Sequence, residues 1–216
     1  LGKNKQQPEE MPVIAAAENP RRLLLELGQA ERIGQTADGK TIFVCRPGSD
    51  SALMREIGRL REFTFRAVGE GTGKARDIDY FDMHYDHIVL WDEENMEIAG
   101  AYRLADCKRT LTERGLNGLY TATLFKYSPE MLQYLENAVE LGRSFVQPKY
   151  WGSRSLDYLW YGIGAYLKRY PQLRYLLGPV SISGAEPPQA RDWLVAYYNR
   201  YFGAEQELAE AHQPFS

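Results

Sequence analysis

Val139-Glu140-Leu141-Gly142-Arg143-Ser144-Phe145-Val146 reads as a strand with two opposite charges near its middle. Side chains alternate along a strand, so Glu140 and Gly142 share a face with Ser144, while Arg143 points the other way with Leu141 and Phe145. A strand set between helices cannot simply solvate a charge on each face, so each charge must be paired or must line a cavity. Two readings follow. One is a structural ion pair at a strand end. The other makes Glu140 a base or amine-binding carboxylate and Arg143 an organiser of further carboxylates.

The flanking sequence places this strand. Ser128-Pro129-Glu130 starts a helix that runs to about Asn137, with a capping residue, a proline and an acidic first turn. After the strand, the loop Gln147–Ser153 leads into a helix over Arg154–Arg169, with Leu156, Leu159, Trp160, Ile163 and Leu167 on its core face. A strand that passes through a Gly- and Ser-containing loop into a helix start presents free N–H groups suited to a phosphate. Lys149, Gly152, Ser153 and Arg154 are the candidates there. An ordinary turn capped by Ser153 or Ser155 fits the same residues. Downstream, Tyr175–Ser183 is an apolar strand broken at Gly178-Pro179, and Pro187–Tyr201 is a final helix. A polar tail follows, with room for one more short helix.

Upstream, the opening to Asn19 has a linker composition. Asn19-Pro20 then caps an amphipathic helix over Arg21–Ile33. Asp38-Gly39 marks a turn and Thr41–Cys45 a strand, and a helix runs from Ser49 or Asp50 to about Phe65. Gly69–Gly73 is irregular. Asp86–Trp91 and Ile98–Leu104 form a hairpin, followed by a polar excursion over Asp106–Thr123. This order predicts an α/β (α+β) protein built on one mixed sheet with helices on both faces. Residues 1–38 would be linker and helix, 39–203 the functional domain and 204–216 a tail.

The chain has 216 residues, 44% of them hydrophobic and 25% charged, which suits one core and excludes low-complexity disorder. Its net charge of −3 argues against a nucleic-acid partner held by bulk attraction. Two cysteines, Cys45 and Cys107, are too few for a disulfide framework or a metal cluster and suit a reducing, cytoplasmic setting. No apolar run reaches the ~20 residues that span a bilayer. The start has no signal-peptide core and no initiator Met, so the chain reads as a piece of a longer one.

Asp77, Asp79, Asp82 and Asp86, with His84 and His87, form an acidic patch before the hairpin. Their spacing fits neither a Ca²⁺ loop nor a His-Glu-x-x-His helix, so no metal is assigned. These carboxylates are expected to bind a cationic substrate or to pair with Arg61, Arg66, Arg103 or Arg143.

Four pieces in order carry a resemblance: Arg61-x-x-x-Phe65-Arg66, Asp79-x-Phe81-Asp82-x-x-x-Asp86-His87, Gly100-Ala101-Tyr102-Arg103-Leu104, and Glu140-Leu141-Gly142-Arg143-Ser144. Together they resemble the ornithine-lipid-type N-acyltransferases, a branch of the acetyltransferase (GNAT) superfamily often labelled hemolysins. A more distant similarity runs to acyl-homoserine-lactone synthases and N-acyl amino acid synthases. The resemblance covers about Thr41 to Tyr201 and implies a GNAT-like fold with a V-shaped opening between the Val139–Val146 and Tyr175–Ser183 strands. A phosphopantetheine arm would lie in that opening. The implied reaction moves a (3-hydroxy)acyl chain from acyl carrier protein to the amine of an amino acid such as ornithine. An upstream lysophospholipid-acyltransferase-like domain and peripheral contact with the inner membrane face are further implications.

Acetyltransferases that bind coenzyme A usually carry Arg/Gln-x-x-Gly-x-Gly/Ala at the pyrophosphate loop. Here Arg154 stands where the second small residue belongs, which favours a carrier-protein donor over acyl-CoA. On the resemblance, Glu140 is the general base and Arg103 and Arg143 hold the acidic residues or the substrate carboxylate. Asp79, Asp82 and Asp86 would take the ornithine side-chain ammonium, beside Arg61, with His87 a lesser candidate as proton shuttle. Lys149, Arg154, Lys168 and Arg169 would meet the acidic carrier. Phe125, Trp151, Trp160 and Tyr161 would line an acyl slot, a position that core packing explains equally well. The competing readings are a homoserine-lactone-type signal synthase and a non-catalytic acyl- or carrier-binding module. Nothing in the sequence is built for the pore-forming activity that the hemolysin label suggests.

Overall fold

The computed structural model of the chain describes residues 11–183 and 186–214. Its main sheet has six strands in the order β1-β2-β3-β4-β6-β7: Glu31–Gln35, Thr41–Cys45, Asp86–Asp92, Glu97–Asp106, Ala138–Val146 and Tyr175–Leu177. β5 (Phe125–Tyr127) and β8 (Ala209–Ala211) make a separate antiparallel pair. The six helices are α1 (Pro20–Leu27), α2 (Ala52–Ala67), α3 (Cys107–Arg114), α4 (Pro129–Leu135), α5 (Ser155–Arg169) and α6 (Pro188–Phe202). The chain divides into two compact units, Leu1–Arg103 with Arg143–Tyr166, and Leu104–Gly142 with Leu167–Ser216. β4, β6 and α5 each run from one unit into the other.

In the first unit, β2 pairs antiparallel with β1 on one side and β3 on the other. Alternation on β3 separates two layers. Val89 and Trp91 join the core with Leu53, Ile57 and Leu60 of α2, while Asp86, one step out of phase, accepts from the Tyr166 hydroxyl of α5. The two helices therefore lie on opposite faces of the sheet, as the mixed-sheet reading expects. α2 starts where two separate acceptors meet its first turn. Ser51 accepts from the Met54 N–H, and the Glu26 carboxylate accepts from the Ala52 and Leu53 N–H groups.

The second unit is smaller. Cys107, Leu119, Leu135 and Ala138 form its buried centre, with Leu111, Ala122, Tyr127, Met131 and Leu177 packed around them. α4 begins at Ser128, whose hydroxyl accepts from the Met131 N–H, and carries Pro129 and Glu130 in its first turn, as the sequence indicates.

Several expectations are corrected. The first helix does not reach Ile33; it closes at Leu27, and Glu31–Gln35 is a strand. The leucines that suggested a longer helix all lie before Gly28, and the Asp38-Gly39 turn, with Gly39 at φ 87, returns the chain into a hairpin. A boundary at residue 38 would cut that hairpin. The excursion after Asp106 contains α3 and two short 3-10 turns. Among its described residues the tail forms no further helix; part of it pairs as β8 with β5, a strand that the sequence pattern did not signal. No helix among the described residues is long and apolar enough to cross a membrane.

Candidate active site

β6 and β7 run parallel and pair over Ala138↔Tyr175, Val139↔Leu176 and Glu140↔Leu177. β7 then stops, while β6 continues to Val146. The expected longer strand, Tyr175–Ser183, thus pairs over three residues only. Sequence chemistry explains where it ends. A side chain at Gly178 would put its Cβ 2.3 Å from the Leu141 carbonyl oxygen, so only glycine passes there. Pro179 follows and has no N–H to extend a ladder. At Gly142, one residue on from Leu141, an added Cβ would meet nothing within 4 Å. Arg143 then adopts φ 50, in the left-handed region that ordinary residues rarely occupy. The regular alternation expected of this strand therefore breaks at Arg143.

The guanidinium of Arg143 lies beside two carboxylates. Its Nε is 3.6 Å from Asp77 Oδ2 and its Nη2 is 3.7 Å from Asp79 Oδ2. Behind them is a buried network. Arg61 makes a two-pronged contact with Asp82, donating from Nη2 to Oδ1 at 2.6 Å and from Nη1 to Oδ2 at 3.1 Å. Arg103 donates from Nη1 to Asp79 Oδ1 at 2.6 Å and to Asp82 Oδ1 at 3.1 Å. Its guanidinium also lies over the Tyr85 ring, 5.1 Å from the centroid. A reciprocal capping arrangement between Asp79 and Asp82 fixes the 3-10 turn Tyr80–Met83 that presents both carboxylates. The side chains of Arg61 and Arg103 are 1% exposed and that of Arg143 is 28% exposed. The two arginines that the sequence grouped together are therefore distinct: Arg103 is locked in the network, whereas Arg143 reaches solvent.

Charge neutralisation orders the titrations. Burial would raise the Asp82 carboxyl, but the Arg61 and Arg103 cations outweigh it and hold that group well below the usual carboxylate range. Asp77 is raised, because burial there exceeds the combined pull of Arg61 and Arg143. His87, with its side chain fully buried, is pushed down to about 3 by burial and by the Arg61 charge, partly offset by Asp82. The imidazole is therefore neutral near pH 7. His87 does couple folding to pH. A depressed histidine stabilises the fold fully above its unfolded value near ~6.5, and that stability is lost as pH falls toward its folded value. His87→Asn is expected to flatten the loss of denaturation free energy between pH 6.5 and about 3.5, by on the order of 2–4 kcal/mol, in chemical-denaturation curves. The Asp82 contribution is lost in the same direction but at lower pH.

Glu140 stands beside the end of the β6–β7 pairing, as expected, but its carboxylate is 2% exposed. Oε1 accepts from the Tyr120 N–H at 3.1 Å, and Oε2 accepts from the Thr121 N–H at 3.1 Å and the Thr121 hydroxyl at 2.5 Å. The Tyr127 hydroxyl in turn donates to Thr121 Oγ1. Glu140 thus holds the 120–121 turn, and its link outward passes through hydroxyls. Tyr127 at the outer end is half-buried, and its phenol is raised to about 12 by burial and the nearby carboxylate.

The three aspartates proposed for a substrate ammonium are engaged by protein cations. Asp82 and Asp79 are held as described. Asp86 accepts from Arg46 Nε and Nη2 at 3.0 and 2.8 Å and from the Tyr166 hydroxyl at 3.0 Å. Before α5, Gly152 at φ 76 turns the chain toward the helix start, and Ser153 Oγ accepts from the Ser155 N–H. Lys149 is paired to Glu97 at 2.5 Å, and Arg154 is aligned with its own helix, donating to the Tyr161 hydroxyl at 2.8 Å. Trp151, Trp160 and Tyr161 are each about half exposed, with Trp160 edge-on to Tyr102. Burial raises both thiols, Cys45 to about 12, and so disfavours the thiolate at each. Among the described residues, no group of three or more His, Cys, Asp or Glu is placed to hold a metal ion.

Sequence reasoning placed Asp77 in the patch with Arg143 as one of four possible arginine partners, and it overlooked Thr121 and Tyr127. The Asp-x-Asp spacing of Asp77 and Asp79, which repeats every second residue, was a usable signal. Thr121 and Tyr127 carried none.

A family model described as an acetyltransferase (GNAT) domain matches residues 60–161. The chain is similar to a glycine N(alpha)-acyltransferase of Phocaeicola vulgatus, at 36% identity, covering 94% of this chain and 67% of that protein. It is similar at 34% identity to a glycine N(alpha)-acyltransferase of Bacteroides thetaiotaomicron, covering 89% of this chain and 61% of that protein. It is also similar to an L-ornithine N(alpha)-acyltransferase of Brucella abortus, at 29% identity over 74% of this chain and 62% of that protein. The chain thus spans roughly two thirds of the length of these curated relatives.

Proposed function

Because the chain belongs to the GNAT acetyltransferase family, in the branch that holds the amino-acid N-acyltransferases, we propose that it transfers an acyl chain from a phosphopantetheine thioester to the α-amine of glycine. The observation that carries this reading is the end of β6–β7 pairing at Glu140 and Leu177, with open space at Gly142. A thioester lying there would pass the one partly exposed guanidinium of the acidic network, Arg143. The turn at Gly152 leads into the N-terminus of α5, whose positive dipole end would favour a phosphate of the donor. Arg154 occupies the second small-residue position, which suits the single phosphate of a carrier-protein donor better than the nucleotide of coenzyme A.

Arg143 receives the α-carboxylate of the acceptor, since a planar fork is the natural partner of a carboxylate. Asp77 and Asp79 hold that fork in place. The acceptor's neutral amine attacks the thioester carbonyl, the C–N bond forms and the C–S bond breaks. The amine's proton passes to the departing pantetheine sulfur, which leaves as the thiol. Glycine is preferred to ornithine because Asp79, Asp82 and Asp86, the carboxylates expected to take a side-chain ammonium, already have arginine partners. The two relatives named for glycine support the same choice.

The test is incubation of the full-length protein with 3-hydroxyacyl carrier protein, or the matching acyl-CoA, and a panel of amino acids, read by mass spectrometry. N-acylglycine is the expected product. Acylornithine as the main product would overturn the acceptor assignment, and no amide from either donor would overturn the activity.

A further inference from the structure

Arg66 and the glycine-rich stretch 69–73 stand out in the sequence but take no part in the site described above. Glu62, one turn before Arg66 on α2, ties them together. Its side chain is fully buried. Oε2 accepts from the Thr72 N–H at 2.9 Å and the Thr72 hydroxyl at 2.6 Å. Oε1 accepts from the Gly73 N–H at 3.0 Å and from Arg66 Nε and Nη2 at 3.0 and 2.8 Å. Burial would raise this carboxyl, but the Thr72 and Arg66 donors outweigh it and hold it below its ordinary value. The turn lies directly on the helix, since a Cβ added at Gly71 would stand 3.0 Å from Arg66 Cα. Gly69 and Gly73, at φ 79 and 75, supply the left-handed residues of that return.

The chain that leaves this turn leads to Asp77. Lys74 O accepts from Arg66 Nη2 at 2.9 Å, and Ala75 O accepts from the Ala15 N–H at 3.0 Å. Residues 12–18, linker-like in composition, thus brace the segment from outside. Pro12 O accepts from Arg66 Nη1 at 2.9 Å, and Glu18 is gripped by Arg55 at 2.8 Å and Arg76 at 3.4 Å. The Asp77 N–H donates to Gly58 O at 2.9 Å, and a Cβ on Gly58 would stand 2.3 Å from Ile78 Cγ1, so the segment returns to α2 without slack.

Asp79 has a second anchor in Arg103, so Asp77 is the carboxylate beside Arg143 whose place depends most on this segment. Its contact with Arg143 is already 3.6 Å, and a shift of ~1 Å in a substrate-positioning group can cost about 10²-fold. We propose that Glu62 is a positioning residue for the acceptor amino acid: by anchoring the 72–73 turn on α2, it sets where Asp77 meets Arg143. The inference rests on the acyltransferase reading for the ligand that Arg143 receives.

The experiment compares the full-length parent with Glu62→Gln and the milder Thr72→Val, which removes one hydroxyl from the clamp. Glu62→Gln is expected to raise KM for glycine at least tenfold, with kcat and the donor KM within twofold, and Thr72→Val to raise it severalfold. In an Arg143→Ala background, Glu62→Gln is expected to add nothing, because residues that act through one another are not additive. Hydrogen exchange over residues 72–79 is expected to quicken in both variants, a readout that needs no turnover. An unchanged KM for glycine, unchanged exchange at Asp77, or an equal effect of Glu62→Gln with and without Arg143 would overturn the proposal. The last result is what a merely structural carboxylate gives. Amide formation with the same KM in Glu62→Gln is a failure of this inference alone. No amide from the parent, with quickened exchange in Glu62→Gln, is a failure of the acyltransferase reading alone.

Discussion

Asp82→Asn is expected to lower unfolding free energy by about 3–5 kcal/mol, the range for removing one partner of a buried ion pair. That is a large share of the ~5–15 kcal/mol that holds a typical domain together. Asp82 is fully buried and serves two cations at once: both prongs of Arg61 and one of Arg103 end on its oxygens. Asparagine keeps the shape but leaves Arg61 with no other carboxylate among its hydrogen-bond acceptors, only the Asp77 carbonyl at 3.4 Å. Arg103 keeps Asp79 and suffers less. The double replacement Asp82→Leu/Arg61→Met removes charge and countercharge together and is expected to recover a substantial part of the loss. Urea denaturation at pH 7 measures both. A single variant as stable as the parent would mean that Asp82 does not balance the two arginines.

Arg143→Ala is expected to leave stability within about 1 kcal/mol, because the side chain is partly exposed and its ion pairs with Asp77 and Asp79, at 3.6 and 3.7 Å, are loose. Its effect falls on catalysis. Losing a charged, forked contact to a substrate carboxylate costs about 3–4 kcal/mol, a drop of roughly 10²–10³ in kcat/KM carried mainly by KM for the amino acid. Arg143→Lys recovers only part, since a point charge on a flexible stem does not reproduce the fork. Steady-state kinetics with glycine and a constant acyl donor tests this. An unchanged KM would take the acceptor carboxylate away from Arg143. Asp77→Asn provides an independent check, because a carboxylate that merely packs would not alter KM when neutralised, whereas one that orients Arg143 would raise it.

The contrast between these two variants reflects how burial divides a charge cluster. The same residue types, Asp and Arg a few ångströms apart, act as scaffold where water is excluded and as a binding group where one side of the guanidinium remains wet. The sequence offered Arg61, Arg103, Arg143 and also Arg66 as partners for the acidic patch. Only the burial of the first two and the partial exposure of the third separate their roles. The same reasoning redirects Glu140. Its place on β6 was legible, but the Tyr120 and Thr121 groups that its carboxylate accepts from lie about twenty positions earlier, along a stretch that looked merely polar.

Local chemistry alone settled a good deal. The caps at Asn19 and Ser128, the turn at Asp38-Gly39, the strand Thr41–Cys45 and the break at Gly178-Pro179 depend on neighbours within a few residues, and each lies where the residues put it. The ordered Arg, Asp and Glu motifs likewise fixed the family. What tertiary structure decided was everything that depends on distant segments meeting. Glu31–Gln35 is a strand because β2 offers it a ladder, and Ala209–Ala211 because β5 does. Asp86 is occupied because Arg46 and Tyr166 reach it from 40 and 80 residues away. Propensity is a short-range energy of tenths of a kcal/mol per residue, whereas pairing a ladder or burying a charge contributes several times more, so the long-range terms decide wherever the two conflict.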